Sequence, residues 1–250
     1  MGYTDSHKGR GRDYHATFAT EVNPYRAMHW RLEQRALDGI LRNYFASGKV
    51  TYLDFACGTG RILAHVYQHV ASATGVDVSP SMMEVARENA PGAELVEGDL
   101  TQGDVLGGRR FNLITAFRFF PNAEPQLRLA VLRALARHLA IPGVLVFNNH
   151  KNRNSLPRRI SRLLGREVPG LTMTHAEVQS LVTAAGLRIV QVIPLASLPF
   201  SENHPLLPVS LLEPLEQRIS GLRPLTGIAQ DVVYVCAGAG PAQSASAAYS

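Results

Sequence analysis

The stretch Tyr52–Leu63, YLDFACGTGRIL, limits the possible folds of this chain more than any other segment. It begins with strand-forming residues, passes through a turn with almost no side-chain bulk, and then resumes a helical pattern. Gly58 and Gly60 allow backbone angles that other residues disfavour. The helix that begins near Arg61 leaves unpaired backbone N–H groups at its start. The segment therefore predicts a buried strand, a turn that a ligand can approach, and a helix in direct succession.

Strand-like and helical patterns alternate along the chain, which predicts an α/β fold. The predicted strands are Val50–Phe55, Ala73–Val78, Glu94–Glu97, Phe111–Phe117, Val144–Asn148, Arg188–Leu195 and Asp231–Cys236. The predicted helices are Pro24–Phe45, Arg61–Val70, Ser81–Asn89, Pro125–Leu139 and a helix capped by Thr174 and Glu177 that ends at Gly186. We expect a seven-stranded, mostly parallel sheet with helices on both faces and an antiparallel last strand.

One domain over residues 14–238 accounts for the 250-residue length and the globular composition, 46% hydrophobic and 18% charged. Within it we expect an N-terminal helical lid at 14–48 and a proline-rich insertion at 198–226. Residues 1–13 and 239–250 read as mobile ends. No apolar run suggests membrane insertion or a signal peptide, so we expect a cytoplasmic protein. Cys57 and Cys236 form no disulfide framework, and we expect both to be reduced.

The spacing of the glycines restricts the ligand of the turn. A dinucleotide fingerprint counted from Gly58 requires a third glycine at position 63, where the chain has Leu63. A phosphate-cradling P-loop requires Gly-Lys-Ser/Thr, which the turn lacks. Both phosphate-binding classes are therefore disfavoured.

Three segments in order resemble the motifs of the class I S-adenosylmethionine-dependent methyltransferases: LDFACGTG, GVDVSPSMMEVARENA and VEGDL. The resemblance covers residues 50–150 and implies a Rossmann-like fold with S-adenosylmethionine as cofactor and S-adenosylhomocysteine as product. Ala56 stands where the family often has glycine, which costs little if its φ angle is negative.

The resemblance also implies roles for individual residues. Asp77 would accept the ribose hydroxyls, Asp99 the adenine amino group, and Asp54 would orient the amino group or the loop. Leu100 would offer a backbone N–H, and Met82 and Phe117 would provide apolar cover. The full set of expected cofactor residues is Asp54, Ala56, Gly58, Gly60, Arg61, Asp77, Val78, Met82, Asp99, Leu100, Ala116 and Phe117.

The ends of the fourth and fifth strands bear on the acceptor. TAFRFFP lacks the Asn/Asp-Pro-Pro-aromatic motif of base and amide methylation, and no cysteine is placed for attack on a pyrimidine carbon. His150 is the expected general base. The amides Asn148, Asn149, Asn152 and Asn154 around it would suit a hydroxyl-rich ligand. Further substrate residues are expected at Tyr25, His29, Trp30, Arg118, Asn148, Asn149 and His204.

The sequence therefore favours methyl transfer to a hydroxyl oxygen of a small molecule or saccharide, with a loose resemblance to bacterial saccharide and glycoside methyltransferases. The alternatives are an RNA methyltransferase that uses the basic residues of 151–166 and a cofactor-binding protein without catalysis. His29, His175 and His204 are rival bases, and Glu202 is a possible metal ligand. Nucleic acid is the less favoured partner. Metal dependence and oligomeric state are open.

Overall fold

A computed structural model describes residues 23–45, 49–166, 170–198 and 207–239. Its sheet has seven strands in the order β3-β2-β1-β4-β5-β7-β6. The strands are β1 Thr51–Phe55, β2 Ser72–Asp77, β3 Glu94–Glu97, β4 Phe111–Ala116, β5 Leu139–Asn148, β6 Leu187–Leu195 and β7 Asp231–Gly238. β7 is antiparallel to both of its neighbours, and the other pairs are parallel. The predicted sheet and its antiparallel last strand are thus confirmed.

The helices of the described residues are α1 Pro24–Tyr44, α2 Arg61–Val66, α3 Pro80–Asn89, α4 Pro125–Arg137, α5 Leu156–Leu163, α6 His175–Ala184 and α7 Val209–Ile219. Asn23 caps α1 by accepting the N–H groups of Tyr25 and Arg26. The predicted capping box of Thr174 and Glu177 begins α6. The predicted mobile ends, 1–13 and 239–250, lie outside the described residues except for residue 239.

Two hydrophobic clusters cover the faces of the sheet because successive strand residues point to opposite sides. Tyr52 packs with α1 and α2 on one face, whereas its neighbour Leu53 packs with α4 and α6 on the other. α1 alone contributes Leu32, Leu37 and Ile40, each 1% exposed. The expected N-terminal lid is therefore part of the core over its described residues.

Two segments that contain proline differ from the predicted elements. β5 begins at Leu139 rather than Val144 and continues through Pro142, with a register shift opposite Phe111–Leu113. The segment after β6 contains the helix α7, with Pro214 inside it, where an irregular insertion was expected. Glu216 holds α7 in position, because this buried carboxylate accepts the N–H groups of Ser197 and Leu198 at 3.0 and 2.6 Å.

The order of the strands indicates at which edge of the sheet a ligand binds. The chain runs outward to β2 and β3 on one side of β1 and to β4 and β5 on the other, so strand order reverses between β1 and β4. Ligands of open α/β sheets bind at the carboxyl ends of the strands beside such a reversal. The first residue of the antiparallel β7, Asp231, lies at this same edge.

Gly143 allows β5 to pass closely over its neighbours, which gives a test of the fold. An added Cβ would lie 2.6 Å from the main-chain oxygen of Ala140 and 2.9 Å from that of Asn112. We expect Gly143→Ala to lower the free energy of unfolding by roughly 1–3 kcal/mol, as other overpacked sites do. Urea unfolding measures it. Gly103→Ala, with nothing within 4 Å of the new Cβ, is the control, and equal unfolding midpoints for the two variants would contradict the packing.

Candidate active site

The turn after β1 has the left-handed backbone that its glycines suggested. The φ angles of Gly58 and Gly60 are 55° and 79°. Ala56 has a φ of 52°, so the condition that its φ be negative is not met. A non-glycine residue at positive φ is strained and concentrates at functional sites. The main chain of this turn is held in place, since the Cys57 N–H donates to Val76 at 3.1 Å and the Gly60 N–H to Cys57 at 2.9 Å.

A cleft of about 1170 Å³, open to solvent, lies against this turn. Its lining includes the expected residues Asp54, Ala56, Gly58, Arg61, Asp77, Val78, Met82, Asp99 and Phe117. Gly60, Leu100 and Ala116 do not line it. Gly60 instead caps α2, where a Cβ would meet the Cα of Ala86 at 3.0 Å. Leu100 and Ala116 are packed in the core at 2% and 0% exposure.

Asp77 fixes the geometry of the cleft. Its Oδ2 accepts the Gly58 N–H at 2.8 Å and its Oδ1 accepts the Ser79 N–H at 2.9 Å. This carboxylate thereby joins the turn after β1 to the start of α3. A carboxylate oxygen accepts more than one hydrogen bond, which suits this group to ligand hydroxyls. Asp99 also lines the cleft, and its Oδ1 accepts the main-chain N–H and the hydroxyl of Thr101.

Asp54 is the acidic residue deepest in the cleft, and it is 2% exposed. Its Oδ1 accepts the Thr115 hydroxyl at 2.6 Å, while Oδ2 has no hydrogen-bond partner among the described residues. Burial raises the pKa of Asp54 to about 7, although the Thr115 bond and the charge of Arg61 oppose the rise. A buried oxygen without a partner is costly, so a hydrogen-bond donor or cation on a ligand would stabilise it.

The N-terminal helix α1 is joined to this cleft through a buried carboxylate. Glu33 is 0% exposed, and its Oε2 lies 2.6 Å from Arg61 and its Oε1 3.4 Å from Arg118. Burial alone would raise the pKa of Glu33, but the charges of Arg61, Arg118 and His29 lower it to about 2. The Arg61 guanidinium also lies 4.2 Å from the ring centroid of Trp30. Two cleft-lining arginines are thus positioned by α1.

Asn148 connects the carboxyl ends of β4 and β5 with the first residue of β7. Its Oδ1 accepts the main-chain N–H of Arg118 at 2.6 Å, and its Nδ2 donates to Oδ2 of Asp231 at 2.9 Å. The Arg118 backbone has a φ of 59°, so the bond to Asn148 stabilises a strained residue at the lip of the cleft. His29 approaches from α1, with Nε2 3.3 Å from Asp231 and Nδ1 3.3 Å from an Arg118 nitrogen.

The two histidines at this edge have opposite pKa shifts. Burial and the positive charges of Arg118 and Lys151 lower the pKa of His150 well below its ordinary value. Burial would also lower that of His29, but the hydrogen bond to Asp231 and the charge of Glu33 raise it. Environments that separate the pKa values of neighbouring groups indicate their proton-transfer roles. His150 is therefore neutral, with Nδ1 lacking a partner among the described residues.

The expectation of an exposed amide cluster around His150 is wrong. Asn148, Asn149 and Asn152 are 0%, 1% and 2% exposed. Their amide nitrogens donate within the protein, to Asp231, to Met173 and to the main chain of Thr226 and Ala229. These amides provide hydrogen bonds to the segment that follows β5, because the turn there has no regular sheet hydrogen bonds.

Other expected acceptor residues are dispersed. The Tyr25 hydroxyl donates to the Leu207 carbonyl at 2.8 Å, which joins α1 to the segment before α7. His175 stacks on Tyr234 and hydrogen bonds to its hydroxyl, with burial lowering the pKa of this histidine. His204 and Glu202 lie outside the described residues.

One group of side chains has the composition of a metal site. The ligand atoms of His29, Glu33 and Asp231 all lie within 4.8 Å of one another. The guanidiniums of Arg61 and Arg118 already neutralise Glu33. A divalent cation would have to displace them against their charge repulsion, so this donor set does not fit a metal in the described geometry.

Several residues of the cleft were not among the predicted site residues. The cleft also includes Phe55, Cys57, Thr59, Ile62, Val76, Gly98, Phe119, Asn122, Leu127 and Val131. Cys57 and Cys236 are buried free thiols, as expected. Burial raises the pKa of the Cys57 thiol well above its ordinary value, so this cysteine is a packing residue. Thr59 and Ile62 could have been predicted from their position next to the glycine turn. Leu127 and Val131 reach the cleft only because α4 packs against it.

Comparison with known proteins agrees with this geometry. Residues 53–143 match the family model described as a methyltransferase domain. The fold is similar to that of magnesium protoporphyrin IX methyltransferase from Synechocystis PCC 6803 with bound SAH, with a TM-score of 0.65, 13% identity, and coverage of 94% of this chain and 97% of that one. No described helix is both long and apolar enough to cross a membrane.

Two curated relatives are sugar-modifying enzymes. The chain is 31% identical over 142 residues to a dTDP-3-amino-3,6-dideoxy-alpha-D-glucopyranose N,N-dimethyltransferase of Streptomyces fradiae, over 56% of this chain and 48% of that protein. It is 30% identical to a dTDP-4-amino-2,3,4,6-tetradeoxy-D-glucose N,N-dimethyltransferase of Saccharopolyspora spinosa, over 53% of each. The chain spans about half the length of these curated relatives.

Glu33 offers a test of the buried charge cluster. Because its pKa is lowered, its ionisation stabilises the fold above its ordinary pKa of 4.5, and this contribution is lost as the pH falls to about 2. We expect Glu33→Gln to cost roughly 3–5 kcal/mol at pH 7, since it leaves two arginines without their buried anion. The difference from wild type should shrink as the pH falls through this window in urea unfolding.

The matched control is Glu94→Gln, which removes a carboxylate from a half-exposed pair with Arg109. We expect that change to cost less than about 1 kcal/mol. A Glu33→Gln effect that stayed constant from pH 7 to pH 2 would show that shape, rather than charge, sets the importance of this residue.

Proposed function

We propose that this chain is a class I S-adenosylmethionine-dependent methyltransferase, which its fold and the match of residues 53–143 to a methyltransferase domain support. We propose further that it transfers a methyl group to a hydroxyl oxygen of a saccharide-type small molecule. The observation that carries this proposal is the convergence of Asp54, Asp77 and Asp99 on one cleft. His150 does not line this cleft, but the charge of the lining residue Arg118 helps to lower its pKa. The cleft supports a nucleoside-sized cofactor, and the neutral histidine supports a proton acceptor at this edge of the sheet.

The chemistry of the cleft fits S-adenosylmethionine, which has an ammonium, a ribose diol, an adenine and a sulfonium. Asp54 would hold the ammonium, because its buried Oδ2 has no partner among the described residues. Asp77 would accept the ribose hydroxyls, and Asp99 the adenine amino group. Met82 and Phe117 give apolar walls. When bound, the cofactor supplies an electrophilic methyl group. The residues of the chain bind it, orient it and exclude water.

Transfer to a hydroxyl requires loss of the hydroxyl proton, and His150 would accept it. A neutral imidazole has a lone pair for this task, and the low pKa of His150 keeps the ring neutral at pH 7. His29 is the weaker candidate, because its bonds to Asp231 and Arg118 occupy both ring nitrogens. Asn148 would position Arg118 and Asp231 at the same edge.

The second candidate is methyl transfer to the amino nitrogen of an amino sugar. The similarity to the two sugar N,N-dimethyltransferases favours it. An amine must be neutral to attack, and Arg118 next to the site would disfavour its ammonium form. A saccharide acceptor is common to both candidates, and they differ in whether His150 is needed for proton removal.

Asp77 tests the cofactor half of the proposal. We expect Asp77→Asn to weaken S-adenosylmethionine binding by about tenfold to a hundredfold, because it removes the charge from the hydrogen bonds to the ribose. Calorimetry measures the affinity. Fluorescence of Trp30, the one tryptophan of the chain, offers a second measurement, since Trp30 stacks on the cleft residue Arg61.

Asp104→Asn is the matched control, because Asp104 accepts main-chain N–H groups of Leu106 and Gly108 in a turn that does not line the cleft. Its affinity should equal that of wild type. Unchanged affinity in Asp77→Asn would refute the placement of the ribose.

His150 tests the transfer step. With S-adenosylmethionine and a panel of hydroxy and amino sugars, mass spectrometry identifies the acceptor that gains a methyl group. For a hydroxyl acceptor we expect His150→Gln to lower kcat by about 10²-fold or more with cofactor affinity retained. Because the pKa of His150 is lowered, wild-type kcat should persist below pH 6.5, and the variant should lack the acidic limb of the profile.

The exposed His69 supplies the control His69→Gln, which should behave as wild type. Methylation of amino sugars alone, with normal kcat in His150→Gln, would establish the nitrogen candidate instead.

A further inference from the structure

Three side chains form a continuous series of hydrogen bonds from the interior of the sheet to the cleft. The Tyr52 hydroxyl lies 2.7 Å from Oγ1 of Thr115, and the Thr115 hydroxyl donates to Oδ1 of Asp54 at 2.6 Å. Tyr52 and Thr115 are 0% exposed. Asp54 in β1 pairs with Thr115 in β4, and Tyr52 lies two residues before Asp54 on the same face. We call Tyr52, Thr115 and Asp54 the buried triad.

The chemistry of the three groups fixes the direction of these hydrogen bonds. An ionised carboxylate only accepts hydrogen bonds, so the single hydroxyl proton of Thr115 points to Asp54. The Thr115 oxygen is then the acceptor for the Tyr52 hydroxyl. Burial and the charge of Asp54 raise the pKa of Tyr52 well above its ordinary value, so Tyr52 remains a donor. Both hydroxyls therefore favour the ionised form of Asp54.

The buried triad also determines which oxygen of Asp54 is left for a ligand. Asp54 lines the cleft, and its Oδ1 is occupied by the Thr115 hydroxyl. Its Oδ2 has no hydrogen-bond partner among the described residues. A buried carboxylate oxygen is costly unless a donor or a positive charge reaches it. Oδ2 is therefore the atom that a cationic group of a ligand would contact.

The other groups around Asp54 act in opposite directions. Burial has the largest effect and raises the pKa of Asp54. The guanidinium of Arg61 on α2 and the main-chain N–H of Leu63 lower it, whereas the charge of Asp77 on β2 raises it. Cys57 in the turn stays a neutral thiol, because burial raises its pKa well above the ordinary value. The resulting pKa of Asp54 is about 7, so one hydrogen bond is enough to decide its ionisation near neutral pH.

We infer that Thr115, held in place by Tyr52, is a positioning residue that keeps Asp54 ionised to receive the ammonium group of a cofactor in the cleft. A valine has the same shape as threonine but would leave Asp54 without its donor. The inference rests on the proposed function for the identity of the cation, whereas the ionisation of Asp54 can be measured without cofactor. Because a protonated Asp54 must lose its proton to solvent when the ammonium binds, cofactor affinity depends on pH.

Titration of Asp54 in the protein without cofactor is the first test. Carbon-13 NMR follows the aspartate carboxyl carbons as the pH changes, and Asp54→Asn identifies the signal. The wild-type midpoint should lie at about pH 7. We expect Thr115→Val to raise this midpoint by about one pH unit or more, because a hydrogen bond to the charged form is lost. Tyr52→Phe should raise it by less, and Thr115→Ser, which retains a hydroxyl, should keep the wild-type midpoint.

The matched control is Thr74→Val. Thr74 is a strand residue with 4% exposure, and its hydroxyl donates to a carboxylate oxygen of Glu94 at 3.2 Å. Neither Thr74 nor Glu94 lines the cleft. This variant should leave the Asp54 midpoint unchanged, and thermal unfolding verifies that each variant is folded.

The pH dependence of cofactor affinity is the second test. In calorimetry with S-adenosylmethionine, wild-type affinity should fall by about tenfold from pH 7.5 to pH 6, because Asp54 becomes protonated through its pKa of about 7. Thr115→Val should bind about tenfold more weakly than wild type at pH 6. The two affinities should converge as the pH rises, since Asp54 is then ionised in both proteins.

A Thr115→Val protein with the wild-type Asp54 midpoint would overturn the inference. A loss of affinity that was equal at every pH would also overturn it, because Thr115 would then have a packing role only. An equal shift of the midpoint in Thr74→Val would do the same. The proposed function fails differently, if the wild-type protein binds no S-adenosylmethionine while Asp54 still titrates near pH 7 and responds to Thr115→Val.

Discussion

The buried carboxylate of Glu33 is the interaction on which the rest of the site depends. It pairs with Arg61 at the start of α2 and approaches Arg118 after β4, which are the two sides of the cleft. A charge with 0% exposure needs such partners, because it is otherwise costly to bury. The N-terminal helix is therefore not a separate cover. It orients two arginines that line the cleft and brings His29 to Asp231, the first residue of β7.

A second set of contacts arranges the side chains at the carboxyl ends of β4 and β5. Asn148 joins the strained Arg118 to Asp231, and His150 follows two residues later in a setting that keeps it neutral. The amides that the sequence suggested for sugar binding hold this turn instead.

The sequence predicted the fold well because strand and helix patterns are local. All seven predicted strands are present, although β5 begins earlier than predicted, and the motif acids Asp54, Asp77 and Asp99 line one cleft. The prediction from sequence failed where a tertiary contact overrode a local pattern. β5 begins at Leu139, before the predicted Val144, because Leu139 also pairs with Phe111. The proline-rich segment that was expected as an insertion contains a helix, which the buried Glu216 and the contact of Leu212 with Met28 stabilise. Ala56 has a positive φ that no local rule would assign to alanine.

What the sequence by itself determined is the order of elements and the glycine turn with its acidic neighbours, since each follows from spacing within one or two elements. Only the tertiary structure decided which charges meet. Glu33 and Asp231 stand near opposite ends of the chain, and each has an ordinary local context, a helix and the first residue of a strand. Their partners and the pKa values of Glu33, His29 and His150 arise from burial and from charges on other elements. Those quantities exist only once the chain has folded.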